Sequence, residues 1–325
     1  MNRTSGAQTV ADASAVRTNA PKGRFLKPLS GYWKHKYLTL LFLPAAIYYA
    51  IFHYVPIYGV LIAFKDYKFS MGIMGSPWVG FDHFRELFTL GSFWQVFRNT
   101  VTISLYKLVF GFPAPILFAL LLHEIRLSVF KKFVQTVSYF PHFLSWVVLG
   151  GLAIQFLSPS TGPVNLIMQW FGLKPVYFLG SAEWFRSVLV VTDIWKELGW
   201  GTIVYLAAIA GVNPELYEAS TVDGANRYHR MRYITLPAMV PVITIMLILS
   251  IGRLVNDDFD QVFNLYNNAV MEVGDVLSTY TYRMGLVNMQ YSFSTAVGLF
   301  KNVIAFALVL VTNAVAKKYN DYGLW

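Results

Sequence analysis

From Tyr37 onward, long apolar runs alternate with shorter polar stretches. Six apolar segments stand out, at about 38–64, 97–122, 134–157, 187–210, 238–255 and 297–316. A helix of about 20 residues rises about 30 Å, the thickness of a bilayer's hydrocarbon core, so each segment can span it with some tilt or a short interfacial extension. The pattern predicts an all-α membrane protein with six transmembrane helices. Two segments are the least regular: the fourth carries Asp193, Lys196 and Glu197, and the fifth runs into Asn256, Asp257 and Asp258. Spans one and two hold Pro44, Pro56, Pro113 and Pro115, which read as packing kinks whose freed carbonyls neighbouring protein must satisfy.

Residues 1–20 show no apolar period and read as a disordered tail, while 21–37 (Lys22, Arg24, Lys27, Trp33, Lys34, Lys36) read as a basic segment on the inner membrane surface. The first apolar run lacks a small-residue cleavage site and is expected to stay as an anchor. The expected organisation is a cytoplasmic tail over 1–37, a six-helix transmembrane domain over 38–317 with a cytoplasmic loop at 211–237, and a cytoplasmic end over 318–325. Phe81, Phe84, Phe88, Phe93, Trp94 and Phe97, ahead of the second span, read as an interfacial helix.

Composition agrees with lipid as the solvent. Hydrophobic residues make up 56% and charged residues 13%, about half the charged share of a soluble domain. The net charge of +9 would suggest nucleic acid if it lay on one face of a soluble domain. Its placement says otherwise. With the N-terminus inside, the inner segments carry 15 Lys and Arg and the outer loops 7, so the charge is an orientation signal that puts both ends in the cytoplasm. Cysteine is absent, which excludes disulfides and thiolate chemistry. No nucleophile stands out, the six histidines lack metal-ligand spacing, and no Gly-x4-Gly-Lys-Ser/Thr phosphate cradle occurs. The chain is therefore expected to hold no nucleotide, cofactor or metal of its own.

The loop between spans four and five is patterned. Asn213 suits an N-cap and Pro214 the first helical turn, Glu215 and Glu218 fall near the positive end of the helix dipole, and Gly224 suits a left-handed close. Asn226 to Thr235 then reads as a second short helix with Arg227, His229, Arg230 and Arg232, stopped by Leu236-Pro237 where the fifth span enters lipid. From pattern alone this is a surface-lying loop that could also dock in a partner's groove.

The string Glu218-Ala219, Asp223-Gly224-Ala225 and Ile234-Thr235-Leu236-Pro237 resembles the EAA loop of binding-protein-dependent importer permeases, with Ser220 in place of the usual third small residue. Further stretches resemble the polysaccharide-type branch of the carbohydrate importer permeases: Phe64-Lys65-Asp66-Tyr67, Pro77 to Phe81, Tyr139 to Trp146, Ile194-Trp195-Lys196, Asp260 to Asn267 and Tyr291-Ser292-Phe293. Within that branch the chain is most similar to the larger permeases of bacterial alginate importers. The resemblance implies a type I ABC importer permease fold in the bacterial inner membrane. It also implies a second permease, expected as a different chain, two cytoplasmic ATPases that hold ATP and Mg, and an extracytoplasmic solute-binding protein. By the same resemblance Glu218, Ala219, Asp223, Gly224, Ile234, Leu236 and Pro237 belong to the element that couples to the ATPase.

Charges inside lipid are costly, so Lys107, Asp193, Lys196, Glu197, Arg253 and Lys301 are expected to face protein or a water-filled path. For span four the plain reading is that Asp193, Lys196 and Glu197 lie near the outer end and pair with one another along the helix. The sharper one is a saccharide path lined by Trp195, Lys196, Trp200, Tyr205, Arg253 and Lys301, whose positive surplus would suit an acidic sugar such as alginate. Two other readings compete. A membrane enzyme acting on lipid-linked sugars would need a carboxylate cluster, for which 257–260 is the candidate, and a stand-alone secondary transporter would show internal repeats, which are not found.

Overall fold

The computed structural model describes residues 36–320 and Gly323. The tail and most of the basic segment over 1–37, and most of 318–325, lie outside the described residues. Two units divide the chain, one ending at Tyr58 and the other running from Gly59 onward. Nearly everything described is helical, and the only strand-type pairing among the described residues is an isolated bridge between Lys65 and Trp78.

The long elements are α1 (Lys36–Tyr49), α2 (Gly91–Tyr106), α3 (Pro113–Glu124), α4 (Ser128–Tyr139), α5 (Trp146–Phe156), α6 (Ala182–Ala210), α7 (Pro214–Val222), α8 (Arg227–Arg230), α9 (Leu236–Gly252), α10 (Phe259–Leu265) and α11 (Tyr291–Asn320). Four continuous helical runs are long and apolar enough to cross a bilayer: Lys36–Phe64, Gly91–Glu124, Arg227–Gly252 and Tyr291–Lys318. The third predicted segment is not one helix. Ser128–Phe143 and Trp146–Phe156 meet at 106°, and they add a fifth crossing only if counted together. α6 has the length, 29 residues, but Arg186, Asp193, Lys196 and Glu197 interrupt its apolar character.

Proline explains most of the departures from regular helix. A π-helical turn ends two residues before Pro56 (Ala50–Tyr54), before Pro113 (Lys107–Gly111) and before Pro237 (Met231–Thr235). A proline ring collides with the carbonyl four residues back, and opening that turn to wider pairing moves the carbonyl away. The helix survives the proline. At Pro237 this overturns the expected stop: α8 continues through the π-turn into α9 as one run from Arg227 to Gly252.

The break between α4 and α5 has a different origin. Phe140–Phe143 tightens to a 3₁₀ turn around Pro141, Leu144 is extended, and Ser145 restarts the helix by accepting the Val148 amide at 3.4 Å. That leaves carbonyls with no helical partner. Lys196 supplies the missing donor, its ammonium reaching the carbonyls of His142 (3.1 Å) and Leu144 (2.6 Å) and lying over the Trp146 ring.

Three apolar clusters hold the second unit together. One joins Ile103, Phe185, Leu189 and Val262; another joins Leu87, Phe93, Val255 and Phe293; the third joins Ala119, Tyr205, Ile209 and Met239. Phe93 therefore departs from the interfacial reading. It is fully buried, while Phe81 and Trp94 stay exposed. In lipid, apolar side chains gain little by leaving the solvent, so close fit and internal hydrogen bonds carry helix association. Gly199 shows the fit: a Cβ there would strike the Ser138 carbonyl and the Tyr139 ring, so α6 lies directly against the end of α4. Gly199→Ala is expected to cost about 1–3 kcal/mol by overpacking, read as a lower unfolding midpoint of the detergent-solubilised protein, whereas Gly151→Ala, where a Cβ meets nothing, should leave it unchanged.

Candidate functional site

The principal cavity of the second unit, about 640 Å³, lies among α2, the π-turn after it, α3, α6, α9 and the start of α10. Its polar lining comprises Ser104, Lys107, His142, Asp193, Glu197, Tyr205, Ser250, Arg253, Asn256, Asp257 and Asp258, with Trp200 among the apolar walls. Of the residues expected on a saccharide path, Trp200, Tyr205 and Arg253 line it, and Trp195, Lys196 and Lys301 do not. Trp195 is exposed on another face of α6, Lys196 is spent on the α4–α5 break, and Lys301 is held by Asp257.

The charges on α6 do not pair along the helix. They sit near its middle, and each reaches another element. Asp193 accepts from the Lys107 ammonium at 2.9 Å, and Lys107 also donates to Gln261 Oε1. Gln261 is fully buried, and its amide donates to the Leu189 carbonyl (2.7 Å) and Thr192 Oγ1 (2.9 Å). Glu197 faces His142 Nδ1 at 3.1 Å, and the His142 ring stacks on Trp200 with centroids 4.4 Å apart and planes within 2°. The π-turn that admits Pro113 is the turn that carries Lys107, so the helix irregularity and the ion pair share one place.

The carboxylates after α9 are likewise committed. Asp257, 4% exposed at its side chain, takes Lys301 at 3.3 Å and the Ser278 amide at 3.0 Å. Asp258 accepts from the Trp146 indole at 2.7 Å and caps α10 through Gln261 N. Further along, Asp275 receives Arg283 through both terminal nitrogens, at 3.2 and 2.5 Å, and this hydrogen-bonded carboxylate raises the guanidinium above its ordinary value. The positive surplus counted within the spans is therefore not a surplus in the cavity. Lys107 and Lys301 are matched by Asp193 and Asp257, and the lining carries two cations against four carboxylates. Gln261, His142 and Asp258 were absent from the sequence-level site; His142 and Gln261 do fall in the stretches that carry the family resemblance, but no spacing tied them to Glu197 or Lys107.

The second site is the loop. Asn213 caps α7 by accepting the Glu215 amide at 3.0 Å, Gly224 closes it at φ +77°, and Asn226 caps α8 by accepting the His229 amide at 2.9 Å. The two short helices are tied to each other by Arg230–Thr221 (3.1 Å) and Tyr217–Thr235 (2.9 Å), and to the end of α3 by Arg227–Glu124 at 3.9 Å. Glu218, Ala219, Asp223 and Gly224 are exposed, and Glu218 and Asp223 make no side-chain hydrogen bond or ion pair among the described residues. Val222 is 88% exposed, an apolar tip with no cover from its own chain. Leu236 packs on the Met239 cluster at the root of α9, while Ile234 is half-buried and Pro237 exposed. Among the described residues no group of His, Cys, Asp and Glu is arranged to hold a metal.

A helical bundle with paired internal charges around a polar cavity, and an ordered, exposed two-helix loop between two long helices, is the layout of a membrane transport subunit. The chain belongs to the family of binding-protein-dependent transport system inner membrane components, matched over residues 111–320. It is 46% identical to the polygalacturonan/rhamnogalacturonan transport system permease protein YteP of Bacillus subtilis (strain 168), over 90% of this chain and 91% of that one. Protein LplB of the same organism is 43% identical over 93% and 95% of the two chains. Among solved structures, a bacterial ABC transporter involved in the import of the acidic polysaccharide alginate superposes with a TM-score of 0.82 at 42% identity, covering 89% of this chain and 98% of that one. A bacterial alginate ABC transporter in complex with an alginate pentasaccharide-bound periplasmic protein gives 0.83, also at 42%, covering 90% and 98%.

Lys107→Met would leave the partly buried Asp193 carboxylate and the buried Gln261 Oε1 without their shared donor. It is expected to destabilise by on the order of 2 kcal/mol, measured as a drop in unfolding midpoint. The double variant Lys107→Met with Asp193→Asn should recover part of that loss, and no recovery would mean that the two side chains act independently.

Proposed function

We propose that the chain is the membrane-spanning subunit of an ATP-binding-cassette importer that brings acidic oligosaccharides or polysaccharides into a bacterial cytoplasm. The observation that carries the proposal is the uncovered loop Pro214–Arg230, rigidly capped at both short helices, in a chain of this family. Acidic substrates are supported by the relatives, whose names specify polygalacturonan and alginate, and no longer by a count of charges within the spans.

In this reading the membrane is crossed six times. α6 serves as a span because its charges are neutralised inside the bundle, and the bent pair α4–α5 serves as another. An even number of crossings leaves both ends on the cytoplasmic side with the loop, in agreement with the Lys and Arg bias. The organisation is then a cytoplasmic tail to residue 37, the permease domain from 38 to 317 and a cytoplasmic end. Partners are a second, different permease, two ATPase copies that bind ATP and Mg, and an extracytoplasmic solute-binding protein. A periplasmic protein bound to one solved relative supports the last of these.

Glu218, Ala219, Asp223 and Gly224 form the docking face for the ATPase, and the apolar tip at Val222 gives it a surface to bury. Ile234, Leu236 and Pro237 pass the movement on, because the second half of the loop is continuous with α9. Closure of the ATPase pair thereby shifts α9 and α6 as rigid bodies around the cavity, and nucleotide selects between two packed arrangements. Within the cavity, the stacked His142–Trp200 pair and Tyr205 offer flat apolar faces and hydrogen-bonding edges suited to sugar rings.

In proteoliposomes holding the whole complex, Glu218→Ala with Val222→Asp is expected to lower ATP-dependent oligosaccharide uptake about tenfold or more while the ATPases still hydrolyse ATP, because loss of a buried contact at an interface centre costs 1–3 kcal/mol. Full uptake by that variant would overturn the assignment of the loop.

A further inference from the structure

We infer that Arg253 is the residue through which this permease reads the carboxylate of an acidic sugar, at the end of the cavity remote from the ATPase-docking loop; the inference rests on the function proposed above. Arg253 caps the C-terminal end of α9, the helix that starts at the loop, so the length of α9 separates the two. Its side chain is exposed and lines the cavity.

The charge accounting singles it out. Four carboxylates line the cavity with it, and each already has a partner: Asp193 has Lys107, Glu197 has His142, Asp257 has Lys301 and Ser278, and Asp258 has the Trp146 indole. The other cation of the lining, Lys107, is held between Asp193 and Gln261. Arg253 makes no side-chain hydrogen bond, ion pair or ring contact among the described residues, although acidic side chains share its cavity. A guanidinium keeps its charge at all working pH values, and its planar fork matches a carboxylate through two parallel hydrogen bonds. Left unpaired at the mouth of a polar cavity, it fits one uronate group of a passing chain.

A cation without a protein partner also suits transport. A carboxylate bound at an exposed guanidinium is held by a screened interaction and can leave, whereas a buried ion pair would trap it. The paired lysines offset Asp193 and Asp257. Arg253 adds preference for the acidic ring.

The test uses the assembled complex in proteoliposomes, with its ATPases, second permease and binding protein, and two probes: an oligogalacturonate and the same oligomer with its carboxyl groups reduced to alcohols. Arg253→Gln is expected to lower uptake of the acidic probe about tenfold and to raise the neutral probe relative to the acidic one. Arg253→Lys, which keeps the charge and loses the fork, should fall between wild type and Arg253→Gln. Undiminished acidic uptake by Arg253→Gln overturns the inference alone, as does an equal loss in both variants, which would mark a structural role. Failure of the wild-type complex to import either probe overturns the proposed function, and the inference with it.

Discussion

The Lys107 ammonium held between Asp193 and Gln261 is the interaction around which the second unit is organised. An ammonium and a carboxylate inside a bundle surrounded by lipid each carry a large desolvation cost, and only direct pairing with further hydrogen bonds offsets it. Here the pair is completed by a buried glutamine whose amide also reaches the backbone of α6. The π-turn after α2, the middle of α6 and the start of α10 must therefore meet at one point. The cavity is the space that this meeting leaves among them.

The same economy governs the backbone. Ahead of Pro56, Pro113 and Pro237 the helix opens a π-turn, so the chain passes each proline as one helical run. Where α4 gives way to α5 at 106°, no such turn suffices, and Lys196 caps the stranded carbonyls. A charge that looked like a substrate contact proves to be a backbone donor. Its neighbour Glu197, one residue on, turns to His142 and fixes the ring that stacks on Trp200. Two adjacent residues thus hold the wall of the cavity from behind and from within.

The loop between α6 and α9 differs from the rest in having every local requirement met and no tertiary cover. Both helices are capped by asparagine, Gly224 supplies the left-handed residue, and the cross-links through Thr221, Tyr217 and Thr235 keep the pair in shape. In the proposed reading, a rigid element with an exposed valine at its tip would meet a partner at little ordering cost. Its second helix is continuous with α9, which lines the cavity, and in the proposed reading that continuity would carry movement from the loop to the cavity wall.

Sequence alone determined the solvent, the class and the loop. Apolar runs of span length, the placement of Lys and Arg, and the Asn-Pro and Gly signals are local or one-dimensional properties, and they carry their meaning in order along the chain. The permease family could be read for the same reason, since its loop motif is contiguous. Tertiary structure decided which charges face which. Asp193, Lys196 and Glu197 sit at spacings that suit pairing along one helix, yet each turns to a different element, because carbonyls at a helix break and a lysine on a π-turn need partners that the helix itself cannot give. It also decided that Pro237 does not end a helix, since the relief lies in the turn before it. Above all it separated Arg253 from the other intramembrane cations: charge is written in the sequence, but whether a charge is already spent depends on residues 23 to 154 positions away.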